Sequence, residues 1–174
     1  MTKEDKSSRP RQTTHRRIIS GLMAFFVILI FIGVLTTPGT AGDQPKLVQV
    51  VQSGKSFSET LKAFKEEVAQ AGWSVLNMNN MAGVLSERGF TLHPVVTLDV
   101  CKGKYSVQIL SNDAYRPISA FMPCRVSIYM TSDGKVFMAR MNAGAVANMM
   151  PPEVARIMSA SDREIAEIIA RTAH

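Results

Sequence analysis

Two cysteines are the residues of this chain best suited to covalent or metal chemistry. Cys101 and Cys124 are the only cysteines in the sequence. Three interpretations stay open for them. In the first, each cysteine is a small buried residue at the end of a strand. In the second, the two form a structural disulfide. In the third, they are reactive or metal-binding thiols. Lys102 and Lys104 favour the third, because cations beside a thiol at a helix N-terminus make it more reactive.

Methionine supplies a second kind of sulfur, and the chain contains 11 methionines. Thiolate and thioether groups are soft ligands that select Cu(I), so copper binding is one hypothesis. Methionine also fills gaps in protein cores, and several of these residues alternate within predicted strands. We therefore expect most of them to pack in the core. The pair Met149-Met150, just before Pro151, is the exception because it need not be core.

Complete catalytic motifs are absent from the sequence. His93 is the only histidine of the domain before the last residue, His174, and it precedes Pro94 in a predicted surface loop. Neither cysteine belongs to a CxxC pair, so zinc is not expected. Ser132 and Lys135 match the spacing S-x-x-K but fall in a predicted turn. We assign no catalytic residue, predict no cofactor and no metal site, and lean against an enzyme.

Acidic residues offer no general acid. The candidates lie on polar helix faces beside Lys and Arg, where solvated ion pairs are the default expectation. These residues are Glu66, Glu67, Glu164 and Glu167.

The elements that must position these residues follow from periodicity and capping signals. Strands are predicted over 46–52, 73–78, 94–100, 124–130 and 135–141, the last two joined as a hairpin by Asp133-Gly134. Helices are predicted over 57–71, which opens with a capping box at Ser56 and Glu59, and over 81–88. The pattern over 102–110 fits either a strand or a helix, and we favour the helix. Two more are predicted near the end, one from Pro152 and one from a capping box at Ser161 and Glu164. This order indicates an α+β fold with a mixed, mainly antiparallel sheet, a terminal hairpin and C-terminal helices.

An apolar run near the start predicts a membrane segment. From Ile18 to Leu35 the chain has no charged residue, and 18 helical residues span about 27 Å, close to the thickness of a bilayer core. We divide the chain into a basic cytoplasmic tail (1–17), a transmembrane anchor (18–36), a linker (37–45) and a domain (46–174). A cleaved signal sequence is the alternative, and the length of the run favours a retained anchor.

The distribution of charge sets the orientation and excludes one class of partner. Six basic and two acidic residues give the segment 1–17 a net charge of +4, out of +6 for the chain. Positive charge stays on the cytoplasmic side, so the domain is expected in the periplasm or its equivalent, at the inner membrane. The remaining +2 is ordinary for a soluble domain, so nucleic acid is not expected as a partner.

Three sequence features together resemble the DUF302 family of uncharacterised domains. They are the early helix ending in Gly72-Trp73, the strand VVTLDVC ending in Cys101, and the segment MPCRVSIYMTSDGKVFMARMN. The resemblance covers residues 46–172, although Lys102-Gly103 follows Cys101 where many members have Asn-Pro. It implies a compact α+β domain and a homodimer, and no established reaction.

Two functional hypotheses remain. The first is a membrane-tethered, non-enzymatic module that binds a small ligand or a partner protein outside the cytoplasm. The second is a thiol-based redox or Cu(I)-binding protein that uses Cys101 and Cys124.

Overall fold

A five-stranded antiparallel sheet is the frame of the protein in the computed structural model, which describes residues 47–174. The tail 1–17, the apolar segment 18–36 and the linker 37–45 lie outside the described residues. Along the sheet the strands run in the order β1-β5-β4-β3-β2, and each neighbouring pair is antiparallel. Their bounds are Val48–Ser53 (β1), Ser74–Asn80 (β2), Val95–Cys101 (β3), Cys124–Met130 (β4) and Val136–Met141 (β5).

Helices connect and cover the strands. They are α1 (Phe57–Gln70), α2 (Met81–Ser86), α3 (Gly103–Leu110), a 3₁₀ helix (Arg116–Phe121), α4 (Ala143–Ala147) and α5 (Pro152–Ala173). The predicted α+β class is confirmed, and the sheet that was expected to be mixed and mainly antiparallel is antiparallel throughout the described strands. All five predicted strands and the first three helices are present, with ends that agree to within two residues. The 3₁₀ helix and α4 were not predicted, since both are too short to show a period.

One face of the sheet packs against α1 and α5 to form the main core. Alternate residues of β4 face it, and Val126 and Ile128 are fully buried, as their spacing predicts. The other buried members of this core are Phe64, Val68, Trp73, Val96, Leu98, Val100, Val136, Met138, Ile165, Ile168, Ile169 and Ala173. The helix α1 is held at its start by the predicted capping box of Ser56 and Glu59.

The turn between β4 and β5 is built by local side chains. Asp133 accepts hydrogen bonds from the Thr131 hydroxyl and the Lys135 ammonium group, and Gly134 adopts a φ of 78° that favours glycine. The Lys135 and Thr131 bonds lower the pKa of Asp133 to about 2. Ser132 and Lys135 therefore lie in the turn, as predicted.

The prediction of two C-terminal helices is wrong, because α5 is one helix of 22 residues. Ser161 lies inside it and is buried, on the same stripe as Ile157 and Ile165. The apolar stripe stays in phase across Ser161, so burial favours an uninterrupted helix over a local cap. No proline or glycine follows Pro152 within the helix to break it.

Among residues 47–174, no helix combines the length and the apolar character needed to cross a membrane.

The two serines of the predicted capping boxes should respond differently to alanine. We expect Ser56→Ala to lower the free energy of unfolding by about 1 kcal/mol, because it removes a true N-cap. Ser161→Ala should change it by less than about 0.5 kcal/mol, because alanine is favoured inside a helix. Urea unfolding followed by circular dichroism measures both. Equal losses in the two variants would contradict the continuous helix.

Candidate functional site

A cavity of about 280 Å³ lies where α3, the 3₁₀ helix and α5 meet the ends of β3, β4 and β5. Its floor is apolar and is formed by buried side chains, among them Val100, Ile109, Ile157 and Ile165. Its mouth includes the exposed residues Ala120 and Phe121 of the 3₁₀ helix. The other lining residues are Trp73, Cys101, Lys102, Tyr105, Ser106, Met122, Pro123, Cys124, Arg125, Arg140, Met141, Ala143, Met158, Ser161 and Asp162.

Both cysteines line this cavity as free, partly buried thiols. Cys101 is the last residue of β3 and Cys124 is the first of β4, where it pairs with Val100. The antiparallel register therefore brings the two thiols to the same end of the sheet.

Each thiol has a serine hydroxyl beside it. The Cys101 Sγ lies 2.8 Å from the Ser106 Oγ, and the Cys124 Sγ lies 3.6 Å from the Ser161 Oγ. Burial raises the pKa of the Cys124 thiol, and the hydrogen bond from Ser161 opposes this only in part. Cys124 is accordingly a thiol, and not a thiolate, at neutral pH.

The lysines expected to activate Cys101 are directed elsewhere. Cys101 does lie just before α3, as predicted, but Lys102 Nζ binds Glu164 Oε2 at 2.7 Å and the Ala71 carbonyl oxygen at 2.8 Å. Lys104 Nζ binds the other Glu164 oxygen at 2.8 Å. Both ammonium groups therefore form ion pairs with Glu164.

Glu164 is the centre of a hydrogen-bonded cluster on the wall of the cavity. Besides the two lysines, it accepts bonds from Trp73 Nε1 at 2.9 Å and from the Tyr105 hydroxyl at 2.5 Å. Burial alone would raise the pKa of the Glu164 carboxyl. The bonds from Lys102, Lys104, Tyr105 and Trp73 outweigh burial and hold this pKa well below its ordinary value. The bond to Glu164 in turn raises the pKa of Tyr105.

This cluster overturns the expectation that Glu164 is a solvated residue on a helix face. A signal for it was available in Trp73, because a buried indole N–H requires an acceptor. The sequence could not identify the acceptor, which lies on α5 and is 91 positions away.

A largely buried ion pair forms another part of the lining. Arg140 follows Val136 and Met138 on the inward face of β5, and its guanidinium binds the Asp162 carboxylate. Arg140 Nη2 also donates to Gln49 Oε1 at 2.6 Å, and Asp162 accepts the Ala143 backbone N–H at 3.1 Å. The charges are thus compensated and hydrogen-bonded, as burial requires.

Arg125 lies at the mouth of the cavity. Its side chain is 65% exposed, and its Nε donates to the buried Asp99 carboxylate at 2.9 Å. No sequence signal singles out Arg125, Arg140, Asp99 or Asp162. The direction of the three strand residues depends on strand register, which periodicity alone does not determine, and Asp162 is placed by the packing of α5.

The described methionines occupy different environments, and Met122, Met141 and Met158 line the cavity. The expectation of core packing is right for Met138 and Met158, which are buried, and wrong for Met78 and Met81, which are exposed. Met149 is 83% exposed and outside the core as anticipated, whereas Met150 packs against a small buried cluster that includes Ile157. His93 is exposed in the loop before β3. In the part of the chain that the structure describes, no three His, Cys, Asp or Glu side chains are grouped to hold a metal ion.

Comparisons with known proteins agree with this architecture. A family model described as "Domain of unknown function DUF302" matches residues 49–172. A crystal structure of an uncharacterized conserved DUF302 protein from Bacillus stearothermophilus is similar, with a TM-score of 0.66 and 22% sequence identity. The similarity covers 72% of this chain and 98% of the other, and at this identity it shows a shared fold alone. No curated protein matches the chain.

The Glu164 cluster predicts a specific loss of stability in acid. A lowered carboxyl pKa stabilises the folded state fully above the unfolded pKa of about 4.5, and this contribution declines from there until the pH falls below the lowered folded-state pKa. Glu164→Gln should therefore lower the free energy of unfolding by about 2 kcal/mol at pH 7 and by a smaller amount at pH 3, where part of the contribution is already lost.

Urea unfolding at the two pH values measures the effect. Glu167→Gln is the matched control, because Glu167 lies on the same helix and is exposed. We expect little change in it at either pH. A loss in Glu164→Gln that is the same at pH 3 as at pH 7 would contradict a role for the carboxylate charge.

Proposed function

The chain belongs to the DUF302 family, and we propose that its domain is a non-enzymatic module that binds a small, largely apolar ligand in the cavity beside Cys101 and Cys124. The observation that carries the proposal is the cavity itself, with its apolar floor and its few polar groups. Concave sites of this composition are the usual places for small-molecule binding. A dry cavity of about 150 Å³ holds benzene, so about 280 Å³ suits a ligand of roughly twice that size.

The state of the polar groups supports binding over catalysis. Within the described lining, the one carboxylate is Asp162, and it is paired with Arg140. Lys102 is paired with Glu164, whose low pKa leaves it without a proton to donate. Arg125, at the rim, is the cation best placed to meet a polar end of the ligand. These groups orient a ligand and hold the walls in place.

We also propose that residues 18–36 tether this domain to a membrane and that the domain lies outside the cytoplasm. The support is the uncharged apolar run and the net charge of +4 before it. The homodimer implied by the family resemblance stays a prediction.

Ligand binding can be followed through Trp73, the only tryptophan, which lines the cavity. We expect 4-bromobenzyl alcohol, a small contact quencher, to quench Trp73 fluorescence saturably. Ala120→Phe places a ring at the mouth and should weaken this binding at least tenfold. Ala114→Phe is the matched control, because Ala114 is exposed nearby but does not line the cavity. Quenching that is linear and equal in all three proteins would overturn the proposal.

Tethering predicts that the full-length protein sediments with membranes and stays there after an alkaline carbonate wash. Protease added outside intact spheroplasts should digest the domain, because it faces away from the cytoplasm. Intact mass of the recovered protein separates the two N-terminal alternatives. A mature chain that begins near residue 42 would establish a cleaved signal sequence and contradict the retained anchor, and protection from protease would contradict the orientation.

A further inference from the structure

We infer that the cavity contains a binding site for one soft monovalent cation of the Cu(I) class, with the thiols of Cys101 and Cys124 as its principal ligands. The inference uses the same cavity as the proposed function but not the nature of its apolar ligand. It concerns sulfur chemistry that binding of an apolar molecule does not require.

Sulfur-bearing side chains are concentrated around this cavity. Five sulfur-bearing side chains line the cavity, the two cysteines together with Met122, Met141 and Met158. Thiolate and thioether sulfur select Cu(I) over harder cations such as Mg²⁺ and Ca²⁺. Gap filling in a core explains single methionines, but it does not require both cysteines and three methionines to share one cavity.

The separation of the two cysteines suits ligands that share one cation. Cys124 pairs directly with Val100, so Cys101 is one residue further along the neighbouring strand. Strand spacing and rise place the two Cα atoms roughly 6 Å apart. Two sulfur atoms that share a cation, each about 2.3 Å from it, are at most about 4.6 Å apart. Both side chains line the cavity.

The thioethers of Met122 and Met158 are placed to add to a site formed by the two cysteines. Met122 lies two residues before Cys124 in the chain. Met158 lies one helical turn before Ser161, whose hydroxyl is 3.6 Å from the Cys124 sulfur. Residues three apart on a helix share a face, so Met158 approaches the cavity beside Cys124. One or both thioethers can therefore complete the coordination of a cation held by the two thiolates.

Neighbouring groups also favour a sulfur-bound cation. When the cation binds, each thiol releases its proton to solvent. The hydroxyls of Ser106 and Ser161 are placed to donate hydrogen bonds to the resulting thiolates. Asp162 binds Arg140 and the Ala143 N–H, so among the described lining residues no carboxylate is free for a harder cation.

A competition experiment tests the site on the full chain, purified in detergent, reduced with dithiothreitol and desalted without oxygen. Cu(I) is supplied as its bathocuproine disulfonate complex, and the loss of the complex's absorbance reports transfer to the protein. We expect transfer of one Cu(I) per chain. Cys101→Ser and Cys124→Ser should each weaken binding at least a hundredfold, and Met158→Leu about tenfold. Met149→Leu is the matched control and should bind like the wild type, because Met149 is 83% exposed and outside the cavity.

Several results would overturn the site. These are no competition with the chelator, wild-type affinity in both cysteine variants, or equal weakening in Met149→Leu. Quantitative bridging of the cysteines in protein recovered from cells, resistant to mild reductant, would also overturn it. If Cys124→Ser fails to fold, judged by circular dichroism, Cys101→Ser and Met158→Leu still decide. Saturable quenching by 4-bromobenzyl alcohol without Cu(I) transfer rejects the cation site and leaves the proposed function standing.

Discussion

A single turn of α5 holds the whole candidate site together. Ser161, Asp162 and Glu164 leave this turn in different directions and reach three different parts of the domain. Ser161 meets Cys124 at the start of β4, Asp162 binds Arg140 on β5, and Glu164 gathers Trp73 and the residues of α3. The geometry of the cavity therefore depends on α5 running unbroken through Ser161. A break in the helix there would turn the three side chains away from their partners.

The two polar clusters explain how a cavity can persist inside a small domain. Protein interiors tend to close over empty space, since every unfilled volume loses dispersion contacts. Here ion pairs and hydrogen bonds hold the elements around the cavity in place. Glu164 joins α3 to α5, and Arg140 and Asp162 join β5 to α5. Each cluster contains both signs of charge, so the burial of these groups is compensated.

Both cysteines line the same cavity as side chains of these two clusters. Burial raises the pKa of Cys124, and Cys101 ends its strand at the start of α3. The lysines beside Cys101 are bound to Glu164, which removes the simplest argument for an activated nucleophile. The shared cavity supports an interpretation in which the two thiols act together on a ligand. The family match and the similar crystal structure agree with the fold and assign no ligand.

The sequence by itself determined the elements of this domain and their class. Alternation and capping signals are local, so the five strands, α1 and the hairpin at Asp133-Gly134 could be read from neighbouring residues. The second capping box shows the limit of that information. Ser161 and Glu164 match the local pattern, but burial of a stripe in phase over 22 residues outweighs it. Only the tertiary structure decided that Glu164 meets Trp73, that Arg140 faces inward to Asp162, and that both cysteines share a cavity. These contacts join residues far apart in the chain, and strand register and helix packing, which local sequence does not encode, bring them together.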